Sequence, residues 1–375
     1  MKAGVLVCLA LVSWSSMQAV AQSASSGVYL DVSYEAWSNG VPVTNLEGDW
    51  STGYERRDGG QRAYVVGRVE AGASLGWPAM GASPWRLGLL GRVDAGARVS
   101  GQAAQVLYHY QSRTDPPQPV TYNADTDLLF WAGRGLSLHT AAWQWGAVQA
   151  SASWDHMTLS RLRGLRTRGQ VSFNADGSYG FHGTLRDDNA RAQAVFMVPP
   201  EGSGVGDALS LTLAWRRAMA GDTLPAGLPD RITLHVDDAW SRLRWAGVNG
   251  NDAVLDSNVS QRTPEGYIEY RAAINGQYTR RPLIERIPVS TQLRLAWGGD
   301  GGEWSIQIKQ RLGLWQRWLG WQRAGNWGWQ VAVEPVAGAV LLGAHWQGWR
   351  LSVMADRLDA AAHAQGAQVA WAVGF

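Results

Sequence analysis

An all-β fold, a single antiparallel transmembrane β-barrel of about 16 strands within a range of roughly 14–18, is what this sequence predicts. Three observations predict it. Apolar side chains alternate with polar or small ones over segments longer than the strands of soluble sheets. No apolar run of about 18 residues, the length a membrane-crossing helix needs, occurs after residue 21. The last ten residues form one more alternating segment that stops on an aromatic side chain.

The first residues set the compartment. Met1-Lys2 is a short positive start, Ala3 to Trp14 is apolar, and Ala19-Val20-Ala21 is a small-x-small cleavage site. Together they predict a secretory signal peptide over residues 1–21, leaving residues 22–375 as one barrel domain. The one cysteine, Cys8, lies inside that leader, so neither a lipid anchor nor a disulfide is expected. A chain without a spanning helix can cross a bilayer only as a closed sheet, because hydrocarbon offers no partner for an unpaired N–H or C=O. The mean hydropathy of −0.20 agrees with that, since half of each strand would face a polar interior.

Taken in order, Gly27 to Trp37 reads as the first strand, with Val28, Leu30, Val32 and Tyr34 on one parity. Arg62 to Trp77 and Trp85 to Val99 form the clearest pair. Their odd positions are apolar or small, and their even positions carry Arg62, Arg68, Glu70, Arg86, Arg92, Asp94 and Arg98. Arg113 to Asp127, with Pro116, Pro117 and Pro119, reads as a loop with no ladder role. Leu128 to Leu138, Ala141 to Trp154, Gln170 to Phe173, Ser178 to Leu185, Ala192 to Val198, Leu209 to Arg217 and Arg231 to Val236 are strand candidates, and residues 174–177 form a hairpin turn. The basic run Arg161 to Arg168 reads as an exposed loop or strand end. Asn249 to Pro264 reads as a long polar loop. Tyr267 to Ile274, Ile287 to Trp297, Glu303 to Leu319, Trp327 to Val333, Val340 to Trp346 and Leu351 to Asp356 complete the series before the last strand. Long loops at 38–60, 112–127 and 248–265 fall on one end, and short turns on the end that holds both termini.

In the terminal segment Val369, Trp371, Val373 and Phe375 share one parity, against Gln368, Ala370, Ala372 and Gly374. This resembles the C-terminal strand of bacterial outer-membrane β-barrel proteins, which ends on Phe or Trp and is recognised by their assembly machinery. The resemblance implies a Gram-negative cell outer membrane, and as partners the membrane lipids and that machinery, with these four residues as the assembly signal. The 22 tryptophans, eight of them between Trp304 and Trp349, match the aromatic girdles of such walls.

Chemistry is sparse. The formal net charge of +2 argues against a nucleic-acid partner. None of His109, His139, His156, His182, His235, His345 and His363 is followed two residues later by Ser, the arrangement that outer-membrane phospholipases and lipid A deacylases use. No catalytic residue is therefore assigned, and the chain is not expected to be an enzyme. Asp187-Asp188-Asn189, Asp237-Asp238 and residues 249–252 offer oxygen ligands without the spacing of a calcium loop, so no metal or other cofactor is expected.

One constellation remains. Arg62, Arg68, Arg86, Arg92 and Arg98 share the polar parity of two adjacent strands, with Glu70 and Asp94 as nearest opposite charges. If the apolar parity faces lipid, these arginines point into the lumen. They would then either line an anion-favouring pore or form a salt-bridged ladder that fills it. The expected function is a channel for small hydrophilic or anionic solutes. The alternative is a non-enzymatic assembly or export factor for surface polysaccharide or another surface polymer, and a lipid-modifying hydrolase comes third. Solute identity and oligomeric state are not written in the sequence.

Overall fold

The computed structural model describes residues 26–46, 53–55, 60–76, 83–114, 116–175, 179–191, 202–217, 227–257, 260–262, 268–270, 274–299, 301–323 and 325–374. The expected signal peptide over residues 1–21, the candidate strand Ala192 to Val198 and Phe375 lie outside them.

In chain order the strands are β1 (Gly27–Ser38), β2 (Gln61–Leu75), β3 (Trp85–Val99), β4 (Val120–Asn123), β5 (Thr126–His139), β6 (Trp143–Trp145), β7 (Val148–Phe173), β8 (Tyr179–Asn189), β9 (Gly204–Arg216) and β10 (Arg231–Asp256). They continue as β11 (Ser260–Arg262), β12 (Ile268–Tyr270), β13 (Ile274–Glu285), β14 (Ser290–Gly299), β15 (Gly302–Arg311), β16 (Leu314–Arg323), β17 (Trp327–Glu334), β18 (Ala339–Trp346), β19 (Trp349–Ala355) and β20 (Ala364–Gly374). One helix, α1 (Gly101–Ser112), follows β3. Its start is capped by the Ser100 hydroxyl, which accepts from the Ala103 N–H at 3.1 Å.

Fourteen strands, β1, β2, β3, β5, β7, β9, β10 and β14 to β20, pair antiparallel in a ring that β1 and β20 close. The sequence led to about 16. Misreadings act in both directions. Ser178 to Leu185 counts as a strand, yet β8 pairs with the upper parts of β7 and β10 and does not join the ring, and no strand candidate covers residues 275–285, which form most of β13. Glu303 to Leu319 also reads as one run, yet it folds as the β15–β16 hairpin. Its two-residue turn, Leu312-Gly313, has φ of 53° and 81°, the doubly positive pattern whose twist suits a hairpin.

The wall is lopsided. β15 to β19 are 7–10 residues long, close to the roughly 9–11 that cross a bilayer, whereas β7 and β10 have 26 each. The lower part of β7 pairs with β9 and its upper part with β8. β10 likewise pairs with β9 and β14 below, and with β8 and β13 above. Three readings of the sequence are corrected here. Residues 249–256 are strand, not loop, and Arg161 to Arg168 is the middle of β7. Val120–Asn123, just past the prolines, pairs with Gln170 to Phe173. These segments mix polar and apolar side chains without a sustained period of two, so they lack the alternation that marks the strands below.

Outward positions carry the apolar parity. On β9 they run Trp215, Leu213, Leu211 and Leu209, and Trp240 and Trp154 sit level with Leu209 on the neighbouring strands. On the short side the tryptophans of the end that holds the termini touch one another. Trp321 and Trp329 are 4.4 Å apart, Trp327 stacks on Trp346 at 5.3 Å, and Trp349 meets Trp371 at 6.0 Å.

Candidate functional site

The interior is crossed by side chains. β1 and β15, β3 and β15, and β2 and β16 are each six places apart round the ring. Yet Lys309 on β15 is ion-paired with Glu35 on β1, Arg311 on β15 with Asp94 on β3, and Gln316 on β16 donates to the Tyr64 hydroxyl on β2 at 2.5 Å. Direct contact across that many strands requires a flattened cross-section, because facing walls must come within reach of two side chains.

Backbone irregularity aims one of these groups. In β10 the register against β9 shifts between Val236 and Trp240, and Asp238 takes φ of 54°. Here three residues, 237–239, stand against the single Ser210 of β9, and such a bulge turns a side chain away from the regular alternation. Asp238 thereby faces inward beside Asp237 and accepts from both terminal nitrogens of Arg92, at 2.8 and 2.5 Å. Arg92 also lies 3.3 Å from Asp94 and 3.6 Å from Asp155.

The five arginines singled out in the sequence meet different fates. Arg68 is held by Asp155 at 2.6 Å and Glu70 at 2.7 Å, and Arg92 by the cluster just described. Arg62 donates to the Gly313 carbonyl at 2.7 Å, and the Arg86 guanidinium lies 3.7 Å above the Tyr29 ring. Arg98 is exposed at the upper end. Four are thus engaged by other side chains or backbone. The partners that sequence reasoning missed are Glu35, Asp155, Asp238, Lys309 and Arg311. Lys309 carried a signal, being the only lysine after Lys2. Val369, Trp371 and Val373 lie in β20, in register with Val32, Leu30 and Val28 of β1.

Two apolar clusters flank the ion pairs. One gathers Trp37, Trp318, Leu314, Leu341 and Met354 with the turn residue Leu312. The other takes Leu90 from β3, Trp131 from β5, Met157, Leu159 and Leu162 from β7, and Leu243 and Trp245 from β10. Above this second cluster stands a charged crown. Arg166 is bound to Glu285 at 2.8 Å, and Arg281 to Asp188 at 2.6 Å and to Asp252. Burial raises the Glu285 carboxyl above its ordinary value, while the Arg281 hydrogen bond lowers that of Asp252.

The two histidines that meet both a hydroxyl and a carboxylate, His139 and His235, do not have the polarity of a hydrolytic triad, in which Nε2 faces the nucleophile and Nδ1 the acid. His139 meets both Ser137 and Glu70 through Nε2, at 3.1 and 2.8 Å. His235 presents Nδ1 to the Thr212 hydroxyl and Nε2 to Asp237, both at 2.7 Å. The acidic pairs considered as calcium ligands are also occupied, since Asp188, Asp238 and Asp252 each hold an arginine.

The wall is a closed antiparallel β-barrel of 14 strands. No protein-family model matches the chain, and no curated protein matches it by sequence. Among solved structures it is similar to a mutant of the TodX monoaromatic hydrocarbon channel, with a TM-score of 0.37, 9% identity and coverage of 92% of this chain and 89% of that one. The Ralstonia pickettii toluene transporter TbuX gives 0.30 at 8% identity over 94% and 90%. The Pseudomonas putida toluene transporter TodX gives 0.30 at 9% identity over 93% and 87%.

Proposed function

We propose that this chain is inserted in the outer membrane, with its termini on the periplasmic side, and acts as a channel for small, largely apolar solutes. The carrying observation is the inward cluster around Trp131, Met157, Leu159, Leu162 and Leu243. The interiors of large membrane barrels are polar, so a close-packed apolar cluster inside the ring, contributed by β3, β5, β7 and β10, favours an apolar cargo that takes its place. The anion-selective version of the pore loses its support, because Arg68 and Arg92 are neutralised by Asp155, Glu70 and Asp238 rather than left to attract a passing anion. The cleaved leader and the recognition of Val369, Trp371, Val373 and Phe375 by assembly machinery belong to the same reading.

The test is transport into liposomes. Mature protein refolded with phospholipid is expected to float with the vesicles and to raise entry of a small aromatic hydrocarbon at least about tenfold over empty vesicles, with little chloride current. Anion current without hydrocarbon entry would overturn the cargo assignment. Protein left in the aqueous fraction as a compact monomer would overturn the membrane assignment. Neither flux, together with loss of surface polysaccharide in a deletion strain, would favour the polymer-assembly role.

A further inference from the structure

The outer face of the tall side carries a feature that transport through the lumen does not use. Directly above Trp154, Leu209 and Trp240, the outward positions change from apolar to basic. His156, Asp207 and Arg242 occupy the next outward row, in register across β7, β9 and β10. Arg244 follows on β10, Arg134 lies opposite Thr158 on β5, and Arg161 continues β7. Arg286, just past the end of β13, is exposed beside them.

All five arginines are exposed, and the charge is unbalanced. Asp207 is the carboxylate of this row, and it already accepts from His156 at 2.8 Å and faces Arg244 at 3.8 Å. Among the described residues Arg134, Arg161, Arg242 and Arg286 have no ion-pair partner, whereas Arg62, Arg68, Arg92, Arg294 and Arg311 inside the ring are held by carboxylates or a carbonyl. Four unpaired guanidinium groups on one outward arc are therefore not explained by the packing of the wall.

Their height supplies the explanation. Trp154 and Trp240, 45% and 51% exposed, mark the boundary where an aromatic girdle meets headgroups. An arginine one or two positions beyond such a girdle lies at the depth of lipid phosphates, and its planar fork suits bidentate phosphate binding. Resting on the membrane-insertion reading above, we propose that Arg134, Arg161, Arg242, Arg244 and Arg286 form a binding site for the phosphate groups of anionic lipid in the leaflet away from the termini. The two tryptophans would lie against the acyl chains of the same lipid.

The experiment uses full-length mature protein in phosphatidylcholine nanodiscs, doped either with lipid A bearing two phosphates or with the same lipid after phosphate removal. Bound lipid is counted by native mass spectrometry. The bisphosphorylated form is expected to be enriched at least about tenfold over the dephosphorylated one, since each arginine near an anionic surface contributes about fivefold before screening. The enrichment should fall as salt rises. The combined variant R134Q/R161Q/R242Q/R286Q is expected to lose it, while Arg317→Gln, exposed on the short side, keeps it. Equal binding of both lipids by the unmodified protein, or full enrichment in the combined variant, would overturn the proposal. Failure to enter nanodiscs at all would instead strike the membrane reading. If the combined variant misfolds, salt titration of the unmodified protein decides, because a phosphate site weakens with ionic strength and acyl-chain packing does not.

Discussion

Asp238→Ala is expected to lower the unfolding free energy in detergent or lipid by about 3–5 kcal/mol, because it leaves Arg92 buried without its bidentate partner. Arg92 is 8% exposed and Asp238 1%, so water cannot replace the lost carboxylate. The backbone adds to the loss, since alanine tolerates φ of 54° less readily than aspartate or asparagine. Asp238→Asn keeps the backbone preference and a hydrogen-bonding side chain, and Arg92 retains Asp94 and Asp155. It is therefore expected to cost clearly less than alanine. Denaturant unfolding of the two variants in lipid vesicles measures the difference. Equal, small losses would mean that the cross-lumen pair does not hold the wall together.

Trp131→Ala is expected to destabilise the barrel by about 3–5 kcal/mol through the cavity it leaves, and also to raise hydrocarbon entry. Trp131 is fully buried in the cluster that we take to be the path, with the Arg92 guanidinium 5.1 Å from its ring. Among the described residues its indole nitrogen meets no acceptor, so Trp131→Phe gives up no hydrogen bond there and should retain most of the stability. Comparing flux in the two variants separates size from polarity. A lower hydrocarbon flux in the alanine variant, with the fold intact by circular dichroism, would place the path elsewhere.

Much of the wall was legible. Val65, Val69, Leu87 and Leu89 announce their outward face because an apolar exterior on one side of the wall and a charged interior on the other impose a period of two. The same logic placed Arg68 and Arg92 on one parity. It could not reveal Asp155 or Asp238 as their partners, because those contacts join strands far apart in sequence and depend on how the ring is flattened. The bulge at Asp238 also breaks the parity on which the reading relied. Above the ring the signal vanished altogether. Residues 249–256 pair on both sides, yet mix polar and apolar side chains without a sustained period of two, so nothing in their order distinguishes strand from loop. The outward arginines of β5, β7 and β10 were visible as letters. Only the register of those strands shows that they form one row above two tryptophans.

Lys309 has a practical consequence. As the sole lysine after Lys2 and 9% exposed, its amine is shielded from acylating reagents while it remains against Glu35. Amine-directed labelling of the refolded protein, read by peptide mass mapping, should leave residue 309 unmodified at rest and mark it when the walls part. The chain thus carries its own chemical reporter of opening, with no engineered probe and no competing lysine to obscure the signal.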